Sequence, residues 1–382
     1  MTTQQFPLSS LSEISSILSS YEAERVFLVV DEQAYEASGA KAVLEPILQT
    51  KSTTWFTGFE VNPKLEDVVR GMETYRESQP DLLLALGGGT AIDLAKLIGA
   101  FAVQSFSARE LATGQAAIEV PGKPLVAIPT TAGTGSEATH FAVVYVDGNK
   151  YSVAHPSLLP SQAIVDWTLT ESLPKQMTAA TGLDAFCQAI ESMWAVGSTD
   201  ESMRYASEAA TLAVRNLAEA TNLPTPAARS AMCRASHLAG KAINITKTTA
   251  PHALSYALTS RHAVPHGMAV AMTLPSLLAF NADVSDEDCT DPRGAASVQD
   301  RISQILTILG TDQIVEACDL ITQLLLRIGC PTTLNMVGVD SIDQLESIVD
   351  SVNLERLSNN PRRASKAQLL DILQGILGGN AD

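Results

Sequence analysis

The chain has 382 residues, too many for one ordinary core and suited to two domains of roughly 150 to 200 residues each. Apolar residues make up 46% and charged residues 18%, which excludes a disordered chain. Twenty-five basic against 42 acidic residues leave a net charge of −17, a field that repels phosphate backbones and anionic headgroups, so neither nucleic acid nor a membrane surface is expected as a partner.

No window reaches the roughly 18 apolar residues that a bilayer span needs. The nearest, Met268 to Phe280, carries Thr273, Pro275 and Ser276 and reads as a buried helix. No Lys or Arg precedes Arg25, so the positive start of a secretory signal is missing. The five cysteines never form a CxxC pair, which predicts reduced thiols and a cytoplasmic location.

In chain order, Val26–Val30, Thr53–Phe56 and Leu82–Leu86 read as strands, with helical stretches after Val30, over Leu65–Glu77 and from Ile92 onward. That alternation predicts a parallel sheet wrapped by helices. Pro124–Ile128 adds a strand, and Phe141–Val146 runs into Asp147-Gly148-Asn149 as a strand entering a turn. Beyond Pro174 strand signals become rare, and Ala/Leu-rich segments with i, i+3, i+4 periodicity continue to Leu377. The boundary is placed near Leu173–Lys175, giving an α/β domain over 1–174 and an all-α domain over 175–382. Internal repeats and low-complexity tracts are not found, and the polar stretch Asp283–Asp300 predicts a surface loop.

From Asp81 a buried strand runs directly into Gly87, Gly88 and Gly89 and then into a helix carrying Thr90, Asp93 and Lys96. Glycines there let a backbone approach a phosphate, and the helix start adds unpaired N–H groups and a positive dipole end. The spacing is not G-x-G-x-x-G, so by itself the turn reads equally as a phosphate site or as a plain strand-to-helix turn. A second polar loop, Ile128 to Glu137, sets Thr130, Thr131, Thr134 and Ser136 beside Gly133 and Gly135. A helix N-cap accounts for one of those hydroxyls and not four.

At the start of the helical domain, Leu183, Phe186, Cys187, Ile190, Met193 and Trp194 fall on one apolar stripe. Asp184 and Gln188, at i and i+4, lie beside it at the margin of the core, where a carboxylate needs a partner. His252 and His266 each follow a proline, which suits the first turn of a helix. A lone histidine is more often a hydrogen-bonded core residue than a ligand, yet an aspartate with two imidazoles matches the 2-His-1-carboxylate preference of a divalent transition metal. His140 and His155 read as structural, and His237 and His262 as surface or helix-packing residues.

The glycine run with Asp93 and Lys96, the loop from Pro129 to Glu137, and Asp184-x-x-x-Gln188 with His252 and His266 together resemble the iron-containing alcohol dehydrogenases, nearly end to end. The resemblance implies a Rossmann-like N-terminal domain, a helical C-terminal domain, and a nicotinamide cofactor facing a divalent metal, Fe²⁺ or Zn²⁺. By position, Gly87, Gly88 and Gly89 would hold the diphosphate, with Thr90, Asp93, Thr130, Thr131 and Thr134 lining the cofactor and Lys150 near the nicotinamide ribose. Asp184, His252 and His266 would be metal ligands. Asp31 follows the first strand, and an acid near a ribose accepts its 2′-OH but repels a 2′-phosphate, so NAD(H) is expected over NADP(H).

Two positions depart from the family pattern. Gln188 stands where the family's fourth ligand is usually histidine, and Tyr256 where a histidine assigned to proton relay is found. The stretches around Asp184, Lys150 and Lys241–Tyr256 look like the phosphonoacetaldehyde reductase branch, which implies a small anionic aldehyde substrate. Lys241, Lys247 and Arg261 cluster in sequence around His252 and are the candidate anion-binding cations in an acidic chain. The expectation is an NAD(P)H-dependent, metal-assisted aldehyde reductase acting as a homodimer. The competing readings are a general short-chain alcohol dehydrogenase, a lyase resembling dehydroquinate synthase, and a metal-depleted relative that binds only nucleotide.

Overall fold

The computed structural model describes residues 9–378; residues 1–8, part of the stretch read for a signal, and 379–382 lie outside that range. The chain divides into two compact units between Leu173 and Pro174.

In the first unit the elements are α1 (Ile14–Ser20), β1 (Arg25–Val30), α2 (Glu32–Ala37), α3 (Ala40–Leu48), β2 (Ser52–Phe56), α4 (Leu65–Ser78), β3 (Leu82–Gly87), α5 (Gly89–Phe101), α6 (Ala108–Ala112), β4 (Leu125–Pro129), β5 (Phe141–Val146), β6 (Asn149–Ala154) and β7 (Gln162–Ala163). Five strands form one parallel sheet in the order β2-β1-β3-β4-β7. A parallel sheet covered on both faces needs apolar side chains on both, which is why β1, β3 and β4 are continuous Val, Leu and Ile runs. Phe27, Val29, Leu83 and Ala85 pack with Val68, Met72, Leu94 and Ile98 on one face. Val26, Leu28, Leu84 and Ile128 pack with Ile14, Leu18, Tyr35 and Leu44 on the other.

Two strands escape the sequence reading. β6 is the return arm of a hairpin with β5, closed by Asp147 and Gly148 at φ of 50° and 78°, the left-handed pair that matches strand twist in a two-residue turn. Its Asn, Lys and Ser dilute the strand signal. β7 has only two residues.

β1 neighbours β3, although β2 lies between them in sequence, so the sheet changes its direction of growth there. In open α/β sheets ligands bind outside the carboxyl ends of strands at such a switch. Asp31 and Gly87 stand at those two ends, tied by the Asp31 N–H donating to the Leu86 carbonyl at 3.0 Å.

The second unit contains α7 (Lys175–Trp194), α8 (Asp200–Asn222), α9 (Pro226–Thr246), α10 (Ala250–His262), α11 (His266–Ala282), α12 (Ala295–Leu309), α13 (Ile314–Arg327), α14 (Ile342–Asp350), α15 (Leu354–Ser358) and α16 (Lys366–Gly375). Among the described residues it holds no strand, only an isolated bridge between Cys289 and Arg362. α7 is the central helix, packed by α8, α9, α11 and α12. Every residue from Gly182 to Trp194 is therefore buried, and the apolar stripe of the sequence has no exposed margin. Asp184 and Gln188 lie inside the core, not at its edge.

The loop expected over Asp283–Asp300 ends earlier, because α12 begins at Ala295. Its polarity is also partly internal: Asp291 is buried and paired with Arg293 and Arg301. All five cysteines are free thiols. No helix among the described residues is long and apolar enough to cross a membrane.

Candidate active site

The glycine turn is built by the end of β3 and the start of α5. Gly87 has φ of 148°, where a side chain is strained and a β-carbon would come within 2.8 Å of the Ala91 β-carbon. Gly88 precedes the helix and Gly89 is its first residue, so the N–H groups of the first turn face outward unpaired by the helix itself.

The threonine loop lies directly against this turn. The Thr130 N–H donates to the Gly87 carbonyl at 3.0 Å, and a β-carbon at Gly89 would stand 2.8 Å from Thr134 Cγ2. Gly88, Gly89, Thr131 and Thr134 are half-buried, whereas Thr130 is buried. The Thr90 hydroxyl accepts from the Asn62 N–H at 3.2 Å.

Asp93 and Lys96 fasten the loop from below. Lys96 Nζ is fully enclosed and donates to Ser136 Oγ (3.0 Å), Thr139 Oγ1 (3.0 Å) and the Phe141 carbonyl (2.8 Å). Asp93 accepts from Ser136 Oγ and from the Val143 N–H at 2.9 Å. Burial pushes the Lys96 ammonium down to about 8 against the opposing pull of Asp93 and Glu137. Burial raises the Asp93 carboxyl above its ordinary value, with Lys96 opposing. Asp93, expected to line the cofactor, thus spends its carboxylate on Ser136 and the β5 backbone. Asp31 caps α2 by accepting from the Ala34 N–H at 3.1 Å. Lys150 sits half-buried on β6 opposite Tyr145.

In the second unit, α7, α10 and α11 bring Asp184, His252 and His266 together, with one ligand atom from each lying within 4.8 Å of the others. His252 Nε2 stands 3.2 Å from Asp184 Oδ1, and His266 Nε2 stands 3.9 Å from the same oxygen. Both rings therefore present Nε2 to one carboxylate. Gln188 lies one turn further along α7 and is buried. The Tyr256 ring stacks on His266 at 6.3 Å between centroids.

One residue of this centre was not singled out from sequence. Glu191, completely buried on α7, is hydrogen-bonded through Oε2 to His252 Nδ1. Its signal was present, since it lies seven residues after Asp184 and so on the same helical face, a second carboxylate in the stretch that carries the apolar stripe. Burial works against a charged His252, but Glu191 and Asp184 outweigh it and hold the imidazole up to about 10. Two carboxylates closed in with two imidazoles leave this spot short of positive charge, which is the condition a divalent cation relieves. The donor set and its electrostatics fit such an ion.

The three candidate cations do not share one partner. Lys241 Nζ lies over the Tyr205 ring at 4.2 Å, Lys247 pairs with Glu355, and Arg261 donates to the Ser347 carbonyl and hydroxyl at 3.0 and 2.7 Å. Proximity to His252 in sequence sends them to three different helices, α8, α15 and α14.

A parallel α/β unit with a glycine turn at its switch point, together with a helical unit holding an Asp-His-His cluster, defines a class. The iron-containing alcohol dehydrogenase family model matches residues 4–167, and the Fe-containing alcohol dehydrogenase family C-terminal model matches residues 178–377. The chain belongs to the iron-containing alcohol dehydrogenase family and is an enzyme of the alcohol dehydrogenase and aldehyde reductase class.

Among its relatives, the phosphonoacetaldehyde reductase of Streptomyces viridochromogenes is 35% identical over 312 residues, covering 77% of this chain and 75% of that protein. The long-chain-alcohol dehydrogenase 1 of Geobacillus thermodenitrificans is 32% identical over 371 residues, covering 94% and 90%. The crystal structure of sulfoacetaldehyde reductase from Bifidobacterium kashiwanohense in complex with NAD⁺ superposes with a TM-score of 0.87 at 28% identity over the whole of both chains.

Proposed function

We propose that the protein reduces a small anionic aldehyde, of the phosphonoacetaldehyde kind, to its primary alcohol with a nicotinamide cofactor and a divalent ion. The convergence of Asp184, His252 and His266 carries this reading. The similarity to a phosphonoacetaldehyde reductase and to a sulfoacetaldehyde reductase structure supports the substrate class, a two-carbon aldehyde with a strong anion one methylene from the carbonyl.

Asp184, His252 and His266 would hold the ion, Fe²⁺ or Zn²⁺, with Gln188 as a weaker fourth donor. The bound ion would polarise the carbonyl oxygen as a Lewis acid while the nicotinamide supplies hydride. Gly88, Gly89 and the first turn of α5 would receive the diphosphate, and Thr131 and Thr134 would flank it. Tyr256, stacked on His266, would pass the proton that completes the alcohol. Of the three cations, Lys247 is the readiest to turn to a substrate anion, because its pair with Glu355 is exposed and such pairs are weak.

Asp31 beside Gly87 favours NADH, so kcat/KM should be higher with NADH than with NADPH; the reverse order removes that assignment. The substrate test compares phosphonoacetaldehyde with uncharged propanal. A charge-assisted contact of about 1.5–3 kcal/mol gives roughly tenfold or more in favour of the anion, and equal kcat/KM for the two rejects the anionic substrate. A protein that turns over fully after exhaustive chelation, with no metal detectable, rejects the Lewis-acid role.

A further inference from the structure

Glu191 makes two sets of contacts at once. Oε1 accepts from the Thr249 N–H at 3.0 Å, the Thr249 hydroxyl at 2.9 Å and the His252 N–H at 3.3 Å. Oε2 is hydrogen-bonded to His252 Nδ1. Thr249 is the N-cap residue of α10 and makes no capping bond with its own side chain; Pro251 has no N–H to offer. The carboxylate of α7 thus closes the start of α10 from outside, with its charge at the positive end of the helix dipole. Trp194 Nε1, one turn further along α7, donates to Thr249 Oγ1 at 2.8 Å and holds the same corner.

The second contact fixes the imidazole. A carboxylate on Nδ1 keeps a proton there, so the only proton a metal ion would displace is the one Nε2 shares with Asp184 Oδ1, 3.2 Å away, and Nε2 is the nitrogen left to ligate. We propose that Glu191 is the positioning residue of the metal centre: one carboxylate caps α10 and sets the tautomer and direction of His252. The inference rests on the metal reading given above.

The amide of glutamine separates the two roles. With its oxygen toward the N–H groups of α10, its NH₂ faces His252 Nδ1 and forces the proton onto Nε2, which can then no longer ligate. With the amide reversed, two donors meet at the start of α10. Either way one role fails, although size and shape are unchanged.

The test compares the full-length wild type with Glu191→Gln. Zn²⁺ affinity is read by competition with a chromophoric chelator, and the visible d–d spectrum of the Co²⁺-loaded protein reports ligand geometry. Loss of a carboxylate behind a ligating histidine predicts affinity weaker by roughly 10- to 100-fold and an altered Co²⁺ spectrum, with a native far-UV circular dichroism spectrum. Affinity within twofold of wild type in a folded variant overturns the proposal and leaves the metal reading intact. A wild-type protein that binds neither ion overturns the metal reading and this inference with it. Should Glu191→Gln fail to fold, the tautomer of His252 in the Zn²⁺-loaded wild type decides by ¹⁵N NMR: a proton on Nδ1 supports the proposal and a proton on Nε2 refutes it.

Discussion

Gly267 packs so tightly against Asp184 that a β-carbon on it would stand 2.7 Å from the Asp184 amide nitrogen and 2.0 Å from the Ala180 carbonyl oxygen. Both obstacles belong to the α7 backbone, which cannot rotate away. The start of α11, and with it His266, sits where it does because this residue has no side chain. Gly267→Ala should therefore push α11 off α7, destabilise the protein by about 1–3 kcal/mol as an overpacked core does, and lower its metal content. Thermal melts and elemental analysis check this, and a variant with wild-type stability and metal stoichiometry would contradict the packing argument.

The two glycines at the start of α5 should behave differently. A side chain at Gly88 meets only Thr131, at 3.4 Å and beyond, in a backbone conformation any residue adopts, whereas one at Gly89 meets Thr134 at 2.8 Å. Gly88→Asp should fold normally and lose NAD(P)H binding, since it adds bulk and like charge where the diphosphate would lie. Fluorescence titration measures the affinity; unchanged binding would remove the phosphate role of this turn.

Gln188 shares the buried face of α7 with Asp184 and Glu191. An amide oxygen is a poorer donor to Zn²⁺ or Fe²⁺ than an imidazole nitrogen. Gln188→His should slow metal loss during dialysis against a chelator, and His266→Ala should abolish metal binding. Identical loss rates for wild type and Gln188→His would place residue 188 outside the ligand set.

Asp291 gives a pH dependence of defined sign. Burial alone would raise its carboxyl, but hydrogen bonds from Arg293 and Arg301 outweigh that and hold it down to about 2. A depressed carboxylate stabilises the fold above its unfolded value of about 3.9 and loses that contribution as pH falls toward 2, on the order of 2 kcal/mol. The urea-unfolding gap between wild type and Asp291→Asn should be wide at pH 6 and close between pH 4 and pH 2. A gap independent of pH would show that the two arginines, which also bond the Ala195 and Ser198 carbonyls, hold this corner without the charge of Asp291.

Much was legible in the sequence because it is local. The apolar runs of β1, β3 and β4, the 3.6-residue period after Pro174, the glycines ending β3 and the prolines before His252 and His266 each act over a few neighbouring residues. The residue types of the metal cluster were legible too, since an aspartate and two histidines keep their chemistry wherever they stand. Contact between distant residues was not legible. Glu191 meets His252 across 61 positions because α7 and α10 pack together, and no periodicity within either helix states that. Lys241, Lys247 and Arg261 are near His252 in sequence yet turn to α8, α15 and α14, since successive residues of a helix leave it about 100° apart. Sequence set what each residue can do locally; tertiary packing decided which residue it does it with, because burial obliges each polar group to find a partner across the core.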